Sequence, residues 1–200
     1  MTDEKAGLPI LAFASPAEWE AWLEAQPRAS PGCWVQLARK DSGIASVSRA
    51  QAVEGALCHG WIDGQADSRD AASWLVRFTP RRPRGKWSLV NRRAALALIE
   101  AARMRPAGLA EIERARADGR WDAAYAPPSE AKAPLDLTAA LDASPAARDA
   151  FTALDSHNRF AMIYRVEDAR KPETRAKRIA TFVAMLERGE RLHPRKRSRS

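Results

Sequence analysis

The sequence predicts an α+β fold: a small antiparallel sheet of about three strands packed with helices, then a C-terminal three-helix segment. Three observations lead there. Serine- and proline-marked helix starts recur before apolar faces of helical period, and three short runs alternate apolar with polar residues. A stretch with three prolines, Tyr125 to Pro134, then separates the strand-bearing part from one with helical patterns alone. The expected organisation is an α+β domain over 1–126, a linker over 127–134, a helical segment over 135–189 and a disordered basic tail over 190–200. Two hundred residues can bury a real core.

Ser15-Pro16-Ala17-Glu18 is a capping box with proline at the first helical position. It predicts a helix to about Ala25 whose apolar face is Trp19, Trp22 and Leu23. Cys33 to Arg39 alternate as a half-buried strand does. Ser48 and Gln51 form a second capping box, opening a helix that ends before Gly60, which suits a left-handed stop. Trp61 to Ala66 and Ser73 to Thr79 read as a hairpin around Asp67 to Ala72. A turn centred on Asp70 sets Asp63 opposite Arg77 and Ile62 opposite Phe78. Ile62 and Phe78 then face the core, and Trp61, Asp63 and Arg77 share the other face. Ser88 is the expected cap of the next helix, and another spans about Pro106 to Asp118 before Gly119. Beyond the linker, helices are expected from Ser144 to Leu154, from Asn158 to Ala169 and from Pro172 to Arg188.

The net charge is +8, which favours anionic partners, but four of the cations (Arg195, Lys196, Arg197 and Arg199) lie in the last six residues. The folded part is therefore only mildly basic. Two cysteines, Cys33 and Cys58, without a CxxC fit a reducing compartment. The apolar run from Leu8 to Ala14 is short and broken by Pro9, so neither an export signal nor a transmembrane segment is expected. These features predict a cytoplasmic protein.

Chemistry concentrates between Trp61 and Asn91. No acidic residue occurs between Asp70 and Glu100, while seven basic ones do. Arg81, Arg82, Arg84 and Lys86 run into the helix start at Ser88, where backbone N–H groups and the helix dipole attract anions. Arg81, Arg82 and Lys86 are the expected anion clamps, Trp87 a stacking platform and Ser88 the cap. Asn91 lies one turn inside. Trp61, Asp63 and Arg77 form a ligand floor that orients the bound group, or else a cross-strand ion pair beside a packed ring. Pro80 and Pro83 stiffen the loop.

Cys58 and His59 do not make a nucleophile and base. Cys58 falls in the last turn of its helix, where the dipole raises a thiol pKa, and neighbouring helical residues diverge by about 100°. The three histidines are scattered, and no metal, phosphate-loop or dinucleotide motif occurs, so no metal or cofactor is expected. No pair of acids is placed for proton transfer, which favours a binding protein over an enzyme. Arg170, Lys171, Arg175, Lys177 and Arg178 admit a nucleic-acid reading of the C-terminal helices. Their alternative is a polar face on a docked bundle.

Ala56-Leu57-Cys58-His59-Gly60-Trp61-Ile62-Asp63-Gly64, Pro80-Arg81-Arg82 and Lys86-Trp87-Ser88 with Asn91 resemble the YdeI/OmpD-associated, or bacteriocin-protection, family. Met104, Pro106-Ala107-Gly108-Leu109 and Gly119-Arg120-Trp121-Asp122 resemble its next block. Pro172-Glu173-Thr174-Arg175 with Lys177-Arg178 resembles its helical end. The resemblance runs from about Trp19 to Gly189 and departs at His59, where an aromatic residue is expected. It implies a part in tolerance of bacteriocins or cationic antimicrobial peptides, and no catalytic residues. Together these readings predict a protein that binds an anionic small molecule or a protein partner. Nucleic acid, held by the basic loop and tail, is the alternative partner. An enzyme acting on a phosphorylated or carboxylated small molecule is the second alternative.

Overall fold

Ser15 and Ser48 begin the two helices that cover one face of the sheet. Each serine hydroxyl accepts the N–H three residues on, at 3.3 and 3.2 Å, which fixes the starts of α1 (Pro16–Glu24) and α2 (Arg49–Cys58). Gln51 completes the second box by accepting the Ser48 N–H. The computed structural model describes residues 3–194, in two compact units that divide between Ala124 and Tyr125.

The first unit contains a five-stranded sheet in the order β1-β2-β3-β5-β4, where about three strands were expected. The strands are β1 (Glu4–Lys5), β2 (Leu8–Ala12), β3 (Cys33–Ala38), β4 (Trp61–Ser68) and β5 (Ser73–Pro80). β2 lies parallel to β3, with Leu11 beside Val35, so the sheet is mixed. The expectation of a purely antiparallel sheet fails because β2 reaches β3 through the α1 crossover.

One sheet face is the core. Cys33, Val35 and Leu37 of β3 and Val76 and Phe78 of β5 pack with Trp19, Leu23, Ala52 and Ala56 of the helices. Trp19 is fully buried, stacks on Trp22 at 5.4 Å and donates its indole N–H to the Ala52 carbonyl at 2.9 Å. The opposite face has a smaller apolar cluster of Leu8, Ile10, Trp34 and Leu75.

A second core joins α2 to α3 (Leu89–Glu100) and α4 (Pro106–Ala117) through Leu57, Leu98, Ile112 and the ring pair Trp87–Trp121. Gly60 follows α2 at φ +76°, the left-handed stop expected of it. Gly108 permits a close approach of α4 to α2, since a Cβ there would lie 2.3 Å from the Cys58 carbonyl oxygen. All seven tryptophans lie in this unit.

The second unit holds four helices, one more than expected: α5 (Leu135–Asp142), α6 (Pro145–Thr152), α7 (Ser156–Glu167) and α8 (Pro172–Glu187). α5 has no side-chain cap, which hid its start within the proline-rich stretch, but Leu137 and Leu141 one turn apart are buried. They join Met162, Ile163, Phe182 and Leu186 in a single core. Arg175 is ion-paired with Asp136 and donates to the Val166 carbonyl, while Arg178 faces Asp168 and the Arg165 carbonyl. Two of the cations considered for nucleic acid are thus engaged within the bundle.

Asn158, 2% exposed, holds the chain after α8: its amide accepts the His193 N–H at 2.8 Å and donates to the His193 carbonyl at 3.1 Å. The expected disordered tail begins at Glu190. Its first residues, through Pro194, are described, and the cations at 195, 196, 197 and 199 lie outside the described residues.

Candidate anion-binding cleft

The hairpin register differs from expectation and decides which side chains meet. Trp61 pairs with Pro80, Ile62 with Thr79 and Asp63 with Phe78; after a bulge at Gly64 and Gln65, Ala66 pairs with Val76. Asp70 does not centre the turn. Its carboxylate accepts the Ala72 and Ser73 N–H groups at 2.8 and 2.7 Å, which moves the turn one residue on. The bulge then inserts a second irregularity.

Facing residues of paired strands share a side. Trp61 and Asp63 therefore lie on the Phe78 side, with the helices, and Ile62 lies on the other with Arg77 and Thr79. The expected floor of Trp61, Asp63 and Arg77 is not formed. Trp61 is 4% exposed and meets Trp22 edge-on at 5.6 Å, while Asp63 pairs with Arg49 of α2 at 2.9 Å.

On the freed side lies a cleft of about 230 Å³, lined by Ile62, Gly64, Gln65, Arg77, Thr79, Pro80, Arg81, Arg82, Gly85 and Lys86. The lining contains four cations and no carboxylate or histidine. Arg77 reaches it from the sheet, half-buried, with its Nε shielded from water and without a hydrogen-bond partner. Arg82 and Lys86 are exposed and approach from the loop after β5. Arg82 forms no ion pair among the described residues.

That loop is braced at several points. Gly85 N–H donates to the Arg82 carbonyl at 2.9 Å, closing a turn around Pro83 and Arg84. Arg81 N–H donates to the Gly60 carbonyl at 2.9 Å. Arg120 donates to the Gly85 carbonyl at 2.7 Å, and its Nε is held by the Asp118 carboxylate at 2.7 Å. Nothing local in sequence connects Arg120 to the loop, so reading along the chain missed it. Gln65 and Thr79 were also missed, although a lone glycine beside Gln65 inside a strand pattern is a bulge signal.

Arg81 and Trp87 play other parts than those expected. The Arg81 guanidinium lies 3.5 Å from the centre of the Trp87 ring, and the residue is 7% exposed. Trp87 itself is 2% exposed and packs edge-on against Trp121 at 4.9 Å. One ring face carries a cation and the remainder is in the core, so Trp87 offers no platform to a ligand. Arg81 is a strut of the loop, and only its edge lines the cleft.

Ser88 is the cap that was expected, accepting the Asn91 N–H at 3.1 Å. That bond engages a donor at the start of α3, and neither Ser88 nor Asn91 lines the cleft. The cation-lined surface is thus sheet and loop instead of helix terminus. Among the expected ligand contacts, the structure brings together Arg77, Arg82 and Lys86 with an edge of Arg81, and it separates Trp61, Asp63, Trp87, Ser88 and Asn91 from them.

The cysteines are buried free thiols. Burial pushes Cys33 up to about 12 and raises Cys58 as well. The direction at Cys58 matches the sequence expectation, but desolvation is its main cause. His59 Nδ1 lies 2.9 Å from the Gly55 carbonyl oxygen, which accepts from it. No cluster of three metal-ligating side chains occurs among the described residues, and no helix there is long and apolar enough to cross a membrane.

Residues 11–111 match the model of a family described as a domain of unknown function (DUF8412). Residues 130–189 match a second, described as bacteriocin-protection, YdeI or OmpD-associated. The first match lies within the sheet-bearing unit and contains the whole cleft; the second lies within the helical unit. No curated protein and no solved structure matches the chain.

Proposed function

From a chain that belongs to the DUF8412 family and carries a bacteriocin-protection, YdeI or OmpD-associated segment, we propose a protein that binds an anionic ligand. The site is the cleft of Arg77, Arg82 and Lys86. One observation carries the reading: Arg77 from the sheet and Arg82 and Lys86 from the loop line one concave surface, and no carboxylate is among its lining residues. An anion seated among several cations is attracted by each of them. Arginine and lysine are the side chains that bind phosphate or carboxylate through charge-assisted hydrogen bonds. The braced loop adds to this, because little freedom remains to be lost on binding.

The ligand is a small anion or an acidic group on a protein partner. The second family's description ties the reading to bacteriocin tolerance, as a cytoplasmic binding step, and the free buried thiols fit that compartment. The test is calorimetric titration of inorganic phosphate into the protein and into Arg82→Glu. Arg82 is exposed, so the variant should melt as the parent does while losing phosphate binding. Equal phosphate affinity in the two proteins refutes the site. Competition by duplex DNA, falling steeply with salt, would move the reading to nucleic acid.

A further inference from the structure

Resting on the anion-binding reading of the same cleft, we propose that its ligand is a small, non-aromatic phosphate monoester, with a hydroxylated aliphatic body of triose or pentose size. Charge selects the anionic group. Arg77, Arg82 and Lys86, with the edge of Arg81, line the cleft without any carboxylate, which suits a dianion with three outward oxygens better than a single carboxylate. Phosphate monoesters are dianionic above about pH 6.

The rest of the lining selects the body. None of the seven tryptophans is among the lining residues: Trp87, next to Lys86 in the chain, has its ring against Arg81 and Trp121, and Trp34, paired with Arg77 across the sheet, is 5% exposed. A nucleobase would find no ring to stack on, and stacking is what ordinarily holds a base without sequence-specific bonds. The cleft offers instead the Gln65 amide and the Thr79 hydroxyl, neither of which is hydrogen-bonded to a protein group among the described residues, beside the half-buried apolar surfaces of Ile62 and Pro80. Neutral donors and acceptors next to a narrow aliphatic strip match a hydroxylated carbon chain. The volume of about 230 Å³ falls below the range of about 300–1,000 Å³ usual for drug-sized ligands.

The experiment titrates inorganic phosphate, glycerol 3-phosphate, ribose 5-phosphate and adenosine 5′-monophosphate into the full chain at pH 7.5 and 5.5. Ribose 5-phosphate should bind at least about tenfold more tightly than inorganic phosphate, a gain of about 1.4 kcal/mol, and adenosine monophosphate no more tightly than ribose 5-phosphate. Gln65→Ala should weaken ribose 5-phosphate by about threefold to tenfold, the loss expected of one neutral hydrogen bond, and leave inorganic phosphate unchanged.

The charged groups facing the ligand are Arg77, Arg81, Arg82 and Lys86, with the Arg120–Asp118 pair behind Gly85, and the proton taken up between these two pH values is the ester's own. Affinity should therefore fall by about fourfold at pH 5.5 as the ester gains a proton. A nucleotide preference of tenfold or more, equal binding of phosphate and ribose 5-phosphate, or affinity unchanged with pH each overturns the proposal while keeping an anion site. Binding to phosphatidic acid vesicles that ribose 5-phosphate cannot compete away also overturns it, because the monoester would then come from a lipid. Failure of all four small molecules to bind removes the anion reading itself.

Discussion

Replacing Arg77 with methionine should move stability and binding in opposite directions. Methionine preserves the length and the apolar stem of the side chain, so packing on the sheet face beside its cross-strand partner Trp34 changes little. It removes a guanidinium whose Nε is shielded from water without a hydrogen-bond partner. An unmet buried donor costs about 1–3 kcal/mol, and part of that is offset here because the other guanidinium nitrogens still reach solvent. A net gain of about 1 kcal/mol is the expected result, which raises Tm by about 2–4 °C for a chain of this size.

Phosphate binding should weaken about tenfold to a hundredfold, the effect of losing a charge-assisted bond of about 1.5–3 kcal/mol. Thermal unfolding followed by tryptophan emission measures the first quantity and calorimetry measures the second. A variant that melts lower and binds phosphate as well as the parent would refute the reasoning. Arg77 would then be a structural strut whose burial stabilises the sheet.

Gly108→Ala places a methyl 2.3 Å from the Cys58 oxygen and 2.7 Å from the Leu57 oxygen, both backbone atoms that cannot swing away. Overpacking of about 1–3 kcal/mol outweighs the helix-propensity gain of about 1 kcal/mol, so urea unfolding should show a net loss. Asn158→Ala should cost about 2–3 kcal/mol and expose the His193 amide, seen as faster hydrogen exchange at that position; unchanged exchange would show that Asn158 is not the clamp. Stability should also decline at high pH. Cys33 ionises near 9.0 when unfolded and is pushed up to about 12 when buried. The folded state then retains a proton that the unfolded state loses, so its contribution is complete below pH 9.0 and lost as the pH rises towards 12. Cys33→Ala should flatten that part of the urea-derived pH profile.

Features governed by neighbours in the chain were legible before the structure. Ser15, Ser48, Ser88 and Ser144 begin helices because a hydroxyl reaches an N–H three residues on, a contact that needs no distant partner. Gly60 ends α2 for an equally local reason, its positive φ. β2 escaped notice because its partner β3 is more than twenty residues away and Pro9 interrupts its pattern. The basic loop was visible as a run of charge, and Arg82 and Lys86 do line the cleft. The positions of Trp61, Asp63 and Arg77 were read wrongly because one bulge and a displaced turn shift the register, and a shift of one residue exchanges the faces of a strand. Trp87 was misjudged because Trp121, which buries it, lies 34 residues further along.

The aromatic residues divide between the units so that each carries its own optical label. Every tryptophan precedes residue 125, and the two tyrosines, Tyr125 and Tyr164, fall in the helical unit, where their rings meet edge-to-face at 5.1 Å. Indole emission excited at the red edge of its absorption thus follows the sheet-bearing unit alone. Tyrosine emission and its sensitivity to alkaline ionisation follow the other. Two melting curves from one unmodified sample would reveal whether the units unfold together or in sequence. A phosphate ester added to that sample should delay only the indole signal.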